Sequence, residues 1–252
     1  MSEFELRIGH LYPDVLNLYG DTGNVICLRQ RLERRGIRAE VRGLGMGEVL
    51  HPDDFDLLFI GGGQDFEQDV LLQDAARNKR EAILRAIDEE KVLLAICGGY
   101  QILGNYYKTW DGHELEYIGA LDLYTVGKKE RMIGNYMFTC DALKEEGTPY
   151  HIVGFENHSG MTYLGEKVAP LGHVVKGNGN NGEDGTEGAH YKNVFCSYSH
   201  GPMLPKNPRF ADLLIAKALE RKYGRDVLGE MPPLDDTLEI RAHRYMEKRL
   251  GG

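Results

Sequence analysis

Residues 91–104, KVLLAICGGYQILG, limit what this chain can fold into more than any other segment. Val92, Leu93, Leu94, Ala95 and Ile96 run on without a polar residue, the pattern of a strand buried on both faces. The run stops at Cys97, and Gly98-Gly99 then permits a tight reversal into a helix beginning near Tyr100. A cysteine on such a turn holds its sulfur out of the chain, and the N-terminus of the following helix faces it. The positive end of that helix dipole favours thiolate over thiol, and the thiolate is the nucleophile. The arrangement parallels the nucleophile elbow of serine hydrolases, with sulfur in place of oxygen. Taken alone, a single cysteine beside an apolar strand reads as a buried structural residue. The rest of the chain has to decide between the two.

The first half alternates strand and helix. The pattern predicts strands at residues 5–10, 37–44 and 55–60, an amphipathic helix over 24–35 stopped by Gly36, and a long charged helix over 69–90. Repeated strand–helix units imply an α/β fold with a mostly parallel twisted sheet flanked by helices. In such sheets ligands sit at the C-terminal ends of the strands. Gly61, Gly62, Gly63 and Cys97 all fall at that edge. In the second half, residues 117–123, 131–140, 151–156 and 168–176 read as shorter strands, antiparallel hairpins added to the sheet. The stretch GNGNNGEDGTEG, 177–188, is predicted to be an exposed loop that cannot pack. One more strand, 194–199, ends at His200-Gly201-Pro202, and helices are expected over 209–223 and in a tail at about 235–252. No linker divides the chain, so a single domain over 1–252 is expected.

At 252 residues, 42% hydrophobic and 27% charged, the chain has ordinary globular composition. A net charge of −9 argues against nucleic-acid binding, which needs a clustered basic surface. Cys27, Cys97, Cys140 and Cys196 form no CxxC pair, so neither a disulfide framework nor a metal site is expected. The opening residues have no apolar core of signal-peptide length, and no segment is long enough to span a bilayer. A cytoplasmic protein without membrane insertion is expected. Neither G-x-x-x-x-G-K-[ST] nor a helix-opening G-x-G-x-x-G occurs, so this polypeptide carries no sign of ATP chemistry and no cofactor is expected in it.

A nucleophilic thiolate needs a partner that takes and returns a proton. His200 is the best placed, because it too ends an apolar-rich strand and projects from the same sheet edge. His158, in FENHSG, is the second choice. The run Gly61-Gly62-Gly63 follows a buried strand and could approach a phosphate, present N–H groups to an oxyanion, or make a simple turn.

AICGGYQILG resembles the nucleophile motif of class I, triad-type glutamine amidotransferases, in the branch that includes the cobyric acid synthase glutaminase domain. FIGGGQD resembles that branch's oxyanion loop. HLYPDVLNLYGDTGN, GFENHSG, GNGNN and YSHGPMLPKNP narrow the resemblance to the glutaminase subunits of lipid II isoglutaminyl synthases, over about residues 8–225. The resemblance implies a flavodoxin-like fold and a cysteine glutaminase. Cys97 would attack the side-chain amide of L-glutamine, with an oxyanion hole at Gly62, Gly63 and Gly98. His200 would protonate the departing ammonia, and Arg131, in ERMIGNY, would hold the substrate α-carboxylate. Gln101 matches the motif as a substrate-side residue, or as one that packs the elbow. The implied partner is a Mur-ligase-like (MurT-like) synthetase subunit carrying ATP and Mg2+, in a heterodimer that amidates the D-glutamate of lipid II for peptidoglycan. The 177–188 loop and the 209–223 helix are expected near its docking surface. Two alternatives stay open: a glutaminase for cobyrinic acid amidation, and a degenerate scaffold. One departure stands out. Where many triad amidotransferases place a glutamate two residues after the histidine, this chain has Pro202. The third group is therefore an acid elsewhere in the chain, a backbone carbonyl, or a carboxylate of the synthetase.

Overall fold

Val92–Ile96 becomes β4, and all five of its residues are buried. In the computed structural model, which describes residues 3–63, 68–145 and 147–251, β4 lies inside a sheet with a strand paired to each of its edges. In chain order the first half gives β1 (Glu5–Leu11), α1 (Thr22–Arg34), β2 (Arg38–Leu44), β3 (Leu57–Ile60), α2 (Gln68–Asp74), α3 (Arg80–Asp88), β4 and α4 (Gly98–Ile102). The second half gives β5 (Tyr106–Lys108), β6 (Glu114–Glu116), β7 (Leu123–Glu145), β8 (Thr148–Leu164), β9 (Gly172–Lys176), β10 (Thr186–Glu187), β11 (Ala189–Tyr191), β12 (Val194–Ser197), α5 (Pro208–Tyr223) and α6 (Thr237–Leu250). The first sheet has the order β11-β12-β4-β3-β1-β2. It is parallel throughout except for β11. Leu94 sits between Phe59 of β3 and Phe195 of β12, all three fully buried. Each such side chain contributes roughly 1.5–3 kcal/mol through burial, which fixes the register that delivers Cys97 and the β12 end to one edge.

The hairpins of the second half do not extend this sheet, apart from β11. They build a second sheet, β10-β9-β7-β5-β6, with β8 paired to β7. β7 and β8 form one long antiparallel ribbon, broken by register shifts between Gly127 and Met132 and between Cys140 and Lys144. Such shifts bend a strand and let it wrap around the first sheet. The predicted strand over 117–123 is irregular until Leu123, and the chain pairs earlier, at β6. The two sheets meet where Phe155 of β8 bridges His200, whose N–H donates to the Phe155 carbonyl at 2.8 Å.

The predicted helix over 69–90 is interrupted by a π turn, Ala75–Lys79. The turn drives Lys79 into the interior, where its ammonium donates to Asp74 Oδ2 and to the carbonyls of Gly45 and Glu48. A buried lysine is tolerated because all three donors are used.

The glycine-rich stretch 177–188 also differs from expectation. Residues 182–185 are exposed, but Asn180 and Asn181 are buried. The reason is Glu156, whose buried carboxylate accepts the N–H groups of Asn178 and Gly179 and the Asn178 side-chain amide. An anion inside the loop satisfies amides that would otherwise need water.

Helix α5 buries Phe210, Ala211, Leu214, Ile215, Ala218 and Leu219, and stops at left-handed Gly224. The C-terminal segment is fastened by Arg31 of α1, which is 4% exposed and bonds both oxygens of Asp212 and of Asp236 at 2.7 Å. Arg31→Ala strands these carboxylates. It is expected to cost about 3 kcal/mol in urea unfolding, at the low end for a buried pair because Arg35 stays on Asp212. A loss below about 0.5 kcal/mol would show that the cluster is merely a surface decoration. No helix among the described residues is long and apolar enough to cross a membrane.

Candidate active site

Cys97 has φ 47° and ψ −105°, a left-handed conformation that a residue with a Cβ adopts only under constraint. The constraints are visible. Its N–H donates to the Ser197 carbonyl of β12, and its carbonyl accepts from Gln101. The Gly99 N–H donates to Gly61, and a Cβ on Gly99 would meet the Gly61 and Ile60 carbonyls at 2.7 and 2.8 Å. Only glycine lets the elbow press this closely onto the β3 end.

His200 follows β12 and is fully buried. Its Nδ1 lies 3.3 Å from Asp21 Oδ2, and Asp21 is fully buried as well. A proton on Nδ1 donates to that carboxylate. This leaves Nε2 as the ring nitrogen available to the Cys97 side chain, which acts on the imidazole. Burial opposes protonation of His200, but the Cys97 sulfur and the Asp21 carboxylate outweigh it and push its pKa up to about 10. The geometry thus favours an imidazolium beside the Cys97 sulfur at neutral pH.

Of the three ways left open for completing the histidine, the structure brings an acid of this chain, Asp21, beside the imidazole. Asp21 lies in the irregular segment between β1 and α1, where Leu18 N–H donates to the Gly62 carbonyl and Gly62 N–H donates to Asp21 Oδ2 at 2.8 Å. One carboxylate oxygen therefore holds both the glycine loop and the imidazole. The same bond corrects the expected oxyanion hole. The Gly62 N–H is already committed to Asp21, which leaves Gly63 and Gly98, whose backbones adjoin one another, as the candidate donors. Gly62 has a second, steric reason to be glycine, since a Cβ there would lie 2.5 Å from His200 Cε1 and 3.3 Å from Cys97 Cβ. Gly62→Ala should displace the imidazole from the sulfur and lower glutamine turnover on the order of 100-fold. A glutamate-release assay at saturating glutamine checks this, and near-normal turnover would contradict the packing.

Arg131 sits at the β7 register shift, its Nε donating to Asn157 Oδ1 at 2.9 Å and its Nη2 to the Asn157 carbonyl at 3.3 Å. Asn157 in turn bonds the Tyr19 hydroxyl, and the Tyr19 ring stands edge-on to His200 at 5.0 Å. Arg131 therefore joins the site through Asn157 and Tyr19, two residues that sequence reasoning did not single out. Gln101 does not face this mouth. It is buried beneath the elbow with Nε2 donating to the Tyr198 hydroxyl, so of its two readings the packing role fits. His158 lies flat on the Tyr198 ring at 3.6 Å and bonds the Gly160 carbonyl, inside the second sheet. It is not paired with Cys97.

Residues 7–208 match the CobB/CobQ-like glutamine amidotransferase domain. The chain belongs to this family of amidotransferases. Among the similar members is the subunit GatD of lipid II isoglutaminyl synthase (glutamine-hydrolysing) from Staphylococcus aureus, 44% identical over 97% of this chain and 96% of that protein. The subunit of the same name from Streptococcus pneumoniae is 42% identical over 93% of this chain and 88% of its own length. The fold is also similar to that in the structure of PurLQS from Thermotoga maritima. That chain superposes with a TM-score of 0.54 at 18% identity, covering 89% of this chain and 98% of its own, a likeness of fold alone.

Proposed function

We propose that this amidotransferase hydrolyses L-glutamine at Cys97 and delivers the ammonia to an ATP-dependent partner that amidates lipid II. The observation that carries the chemistry is the buried line Asp21–His200–Cys97 at the C-terminal edge of the parallel sheet. Near-full-length similarity to two lipid II isoglutaminyl synthase subunits supports the acceptor. In this reading the Cys97 thiolate adds to the glutamine amide carbon, and the carbonyl electrons move to an oxyanion received by the N–H groups of Gly63 and Gly98. Collapse restores the carbonyl and breaks the C–N bond as the nitrogen takes the His200 proton, releasing ammonia. Neutral His200 then takes a proton from water as the hydroxide adds to the thioester. The second collapse breaks the C–S bond, giving glutamate and thiolate.

Arg131 offers its remaining guanidinium N–H groups to the substrate α-carboxylate. Arg131→Lys keeps the charge and loses the planar fork, so KM for glutamine should rise about 10–100-fold with kcat within a few-fold. Unchanged KM would remove Arg131 from the substrate site. ATP and Mg2+ belong to the partner synthetase in this reading. Because Asp21 supplies the acid in this chain, the chain alone should release glutamate from glutamine. Release seen only after the synthetase is added would transfer the acid's role to the partner, and none even then would refute the glutaminase reading.

A further inference from the structure

The buried carboxyl of Glu187, in β10 of the second sheet, has no part in the mechanism above. It is fully buried, and its Oε1 accepts three donors: the Tyr136 hydroxyl at 2.9 Å, the Ser197 hydroxyl at 2.7 Å and the Tyr198 N–H at 2.9 Å. Two of these donors, Ser197 at the end of β12 and Tyr198 just after it, lie shortly before His200. Ser197 is a junction. Its hydroxyl oxygen accepts the Ser199 N–H at 2.9 Å, one residue from His200, and its carbonyl accepts the Cys97 N–H at 2.9 Å. One residue thus touches the backbone of the nucleophile and of the segment that carries the acid–base group, and Glu187 fixes its rotamer. The same glycine-rich stretch braces the elbow from the other side, where buried Asn180 Oδ1 accepts the Tyr100 hydroxyl at 3.3 Å.

We propose that Glu187 is a positioning residue for the amidotransferase reaction, acting through Ser197 to set the separation of Cys97 and His200. This gives the 177–188 stretch a purpose that its composition hides: its glycines let the chain carry Glu187 and Asn180 into the interior behind the site. The Glu187 Oε2 oxygen is buried without a partner, and burial pushes the carboxyl up to about 7 despite its three donors. A neutral side chain that keeps one acceptor oxygen can therefore stand in for it.

The inference rests on the Cys97–His200 reading, and the test separates the two. Wild type, Glu187→Gln, Glu187→Leu and Ser197→Ala are compared for kcat, KM, thermal midpoint and the rate of Cys97 alkylation by iodoacetamide at pH 7. Glu187→Leu should lower kcat about 30-fold or more, with KM within threefold and alkylation slowed by about tenfold, as expected when a reacting pair is displaced. Glu187→Gln should keep at least about a third of both rates, and Ser197→Ala should fall between them. If Glu187→Leu does not fold, Ser197→Ala carries the test. Wild-type alkylation in Glu187→Leu, or equal damage from Gln and Leu at matched midpoints, would overturn the positioning role. Altered alkylation in a protein that never releases glutamate would instead leave the positioning intact and refute the glutaminase reading.

Discussion

Cys97→Ala should abolish glutamine hydrolysis, by roughly four orders of magnitude or more, because loss of a covalent nucleophile removes the acyl-enzyme route altogether. The fold should survive. Cys97 is buried at the end of β4, and its turn is held by backbone bonds to Ser197 and from Gln101 that alanine keeps. Glycine at this position makes a sharper comparison. The left-handed backbone of Cys97 stores strain of about 1–3 kcal/mol for a side-chain-bearing residue, and glycine is free of it. Cys97→Gly should therefore be as inactive as Cys97→Ala but more heat-stable. Calorimetric midpoints beside glutamate-release rates check both halves. Residual turnover above about 1% in either variant would mean that another group attacks the amide.

Asp21→Asn should lower kcat by about 100- to 10,000-fold, the range seen when a catalytic histidine loses its orienting carboxylate. Gly62 N–H and His200 Nδ1 both lie on the one oxygen Oδ2, so an asparagine oxygen in its place still accepts the Gly62 N–H and holds the glycine loop, and faces the imidazole without charge. The imidazole then loses its anionic partner and the charge that stabilises its protonated form. The sign of the pH effect follows. Asp21 is one of the groups that raise His200 above its ordinary 6.5 toward about 10, so its removal lowers that pKa. The protonated imidazole is needed for the departing nitrogen, and the alkaline limb of kcat should move to lower pH. Linkage gives a second readout. A raised histidine pKa contributes stability that is complete below 6.5 and lost as pH climbs toward 10. The variant's stability should change less than the wild type's across that window. An alkaline limb that stays put, with kcat near normal, would remove Asp21 from the site.

The parts of the site legible in the sequence were those set by strand ends. The apolar run before Cys97, the glycines after it and the strand ending at His200 put both groups on one sheet edge by pattern alone. Asp21 was harder. It lies in the irregular residues after β1, and its place above the glycine loop depends on tertiary bonds such as Leu18 to Gly62. A usable signal existed: an acid between Gly20 and Gly23, in the irregular segment that follows a strand predicted for the same sheet. The second sheet was legible as strands but not as a separate layer, because the register shifts that bend β7 leave no local mark. Composition misled outright at 177–188, where many glycines and polar side chains suggested solvent exposure. The Glu156 carboxylate, about twenty residues upstream, supplies the acceptor that lets the loop pack.

Covalent capture tests whether Cys97 attacks glutamine with His200 at its side. The chain is incubated with the glutamine analogue 6-diazo-5-oxo-L-norleucine, digested, and the adduct located by mass spectrometry. A single stoichiometric adduct on Cys97 is expected, prevented by excess L-glutamine and slowed strongly in Asp21→Asn. An adduct on another residue, or none in a folded protein with its synthetase present, would contradict that attack.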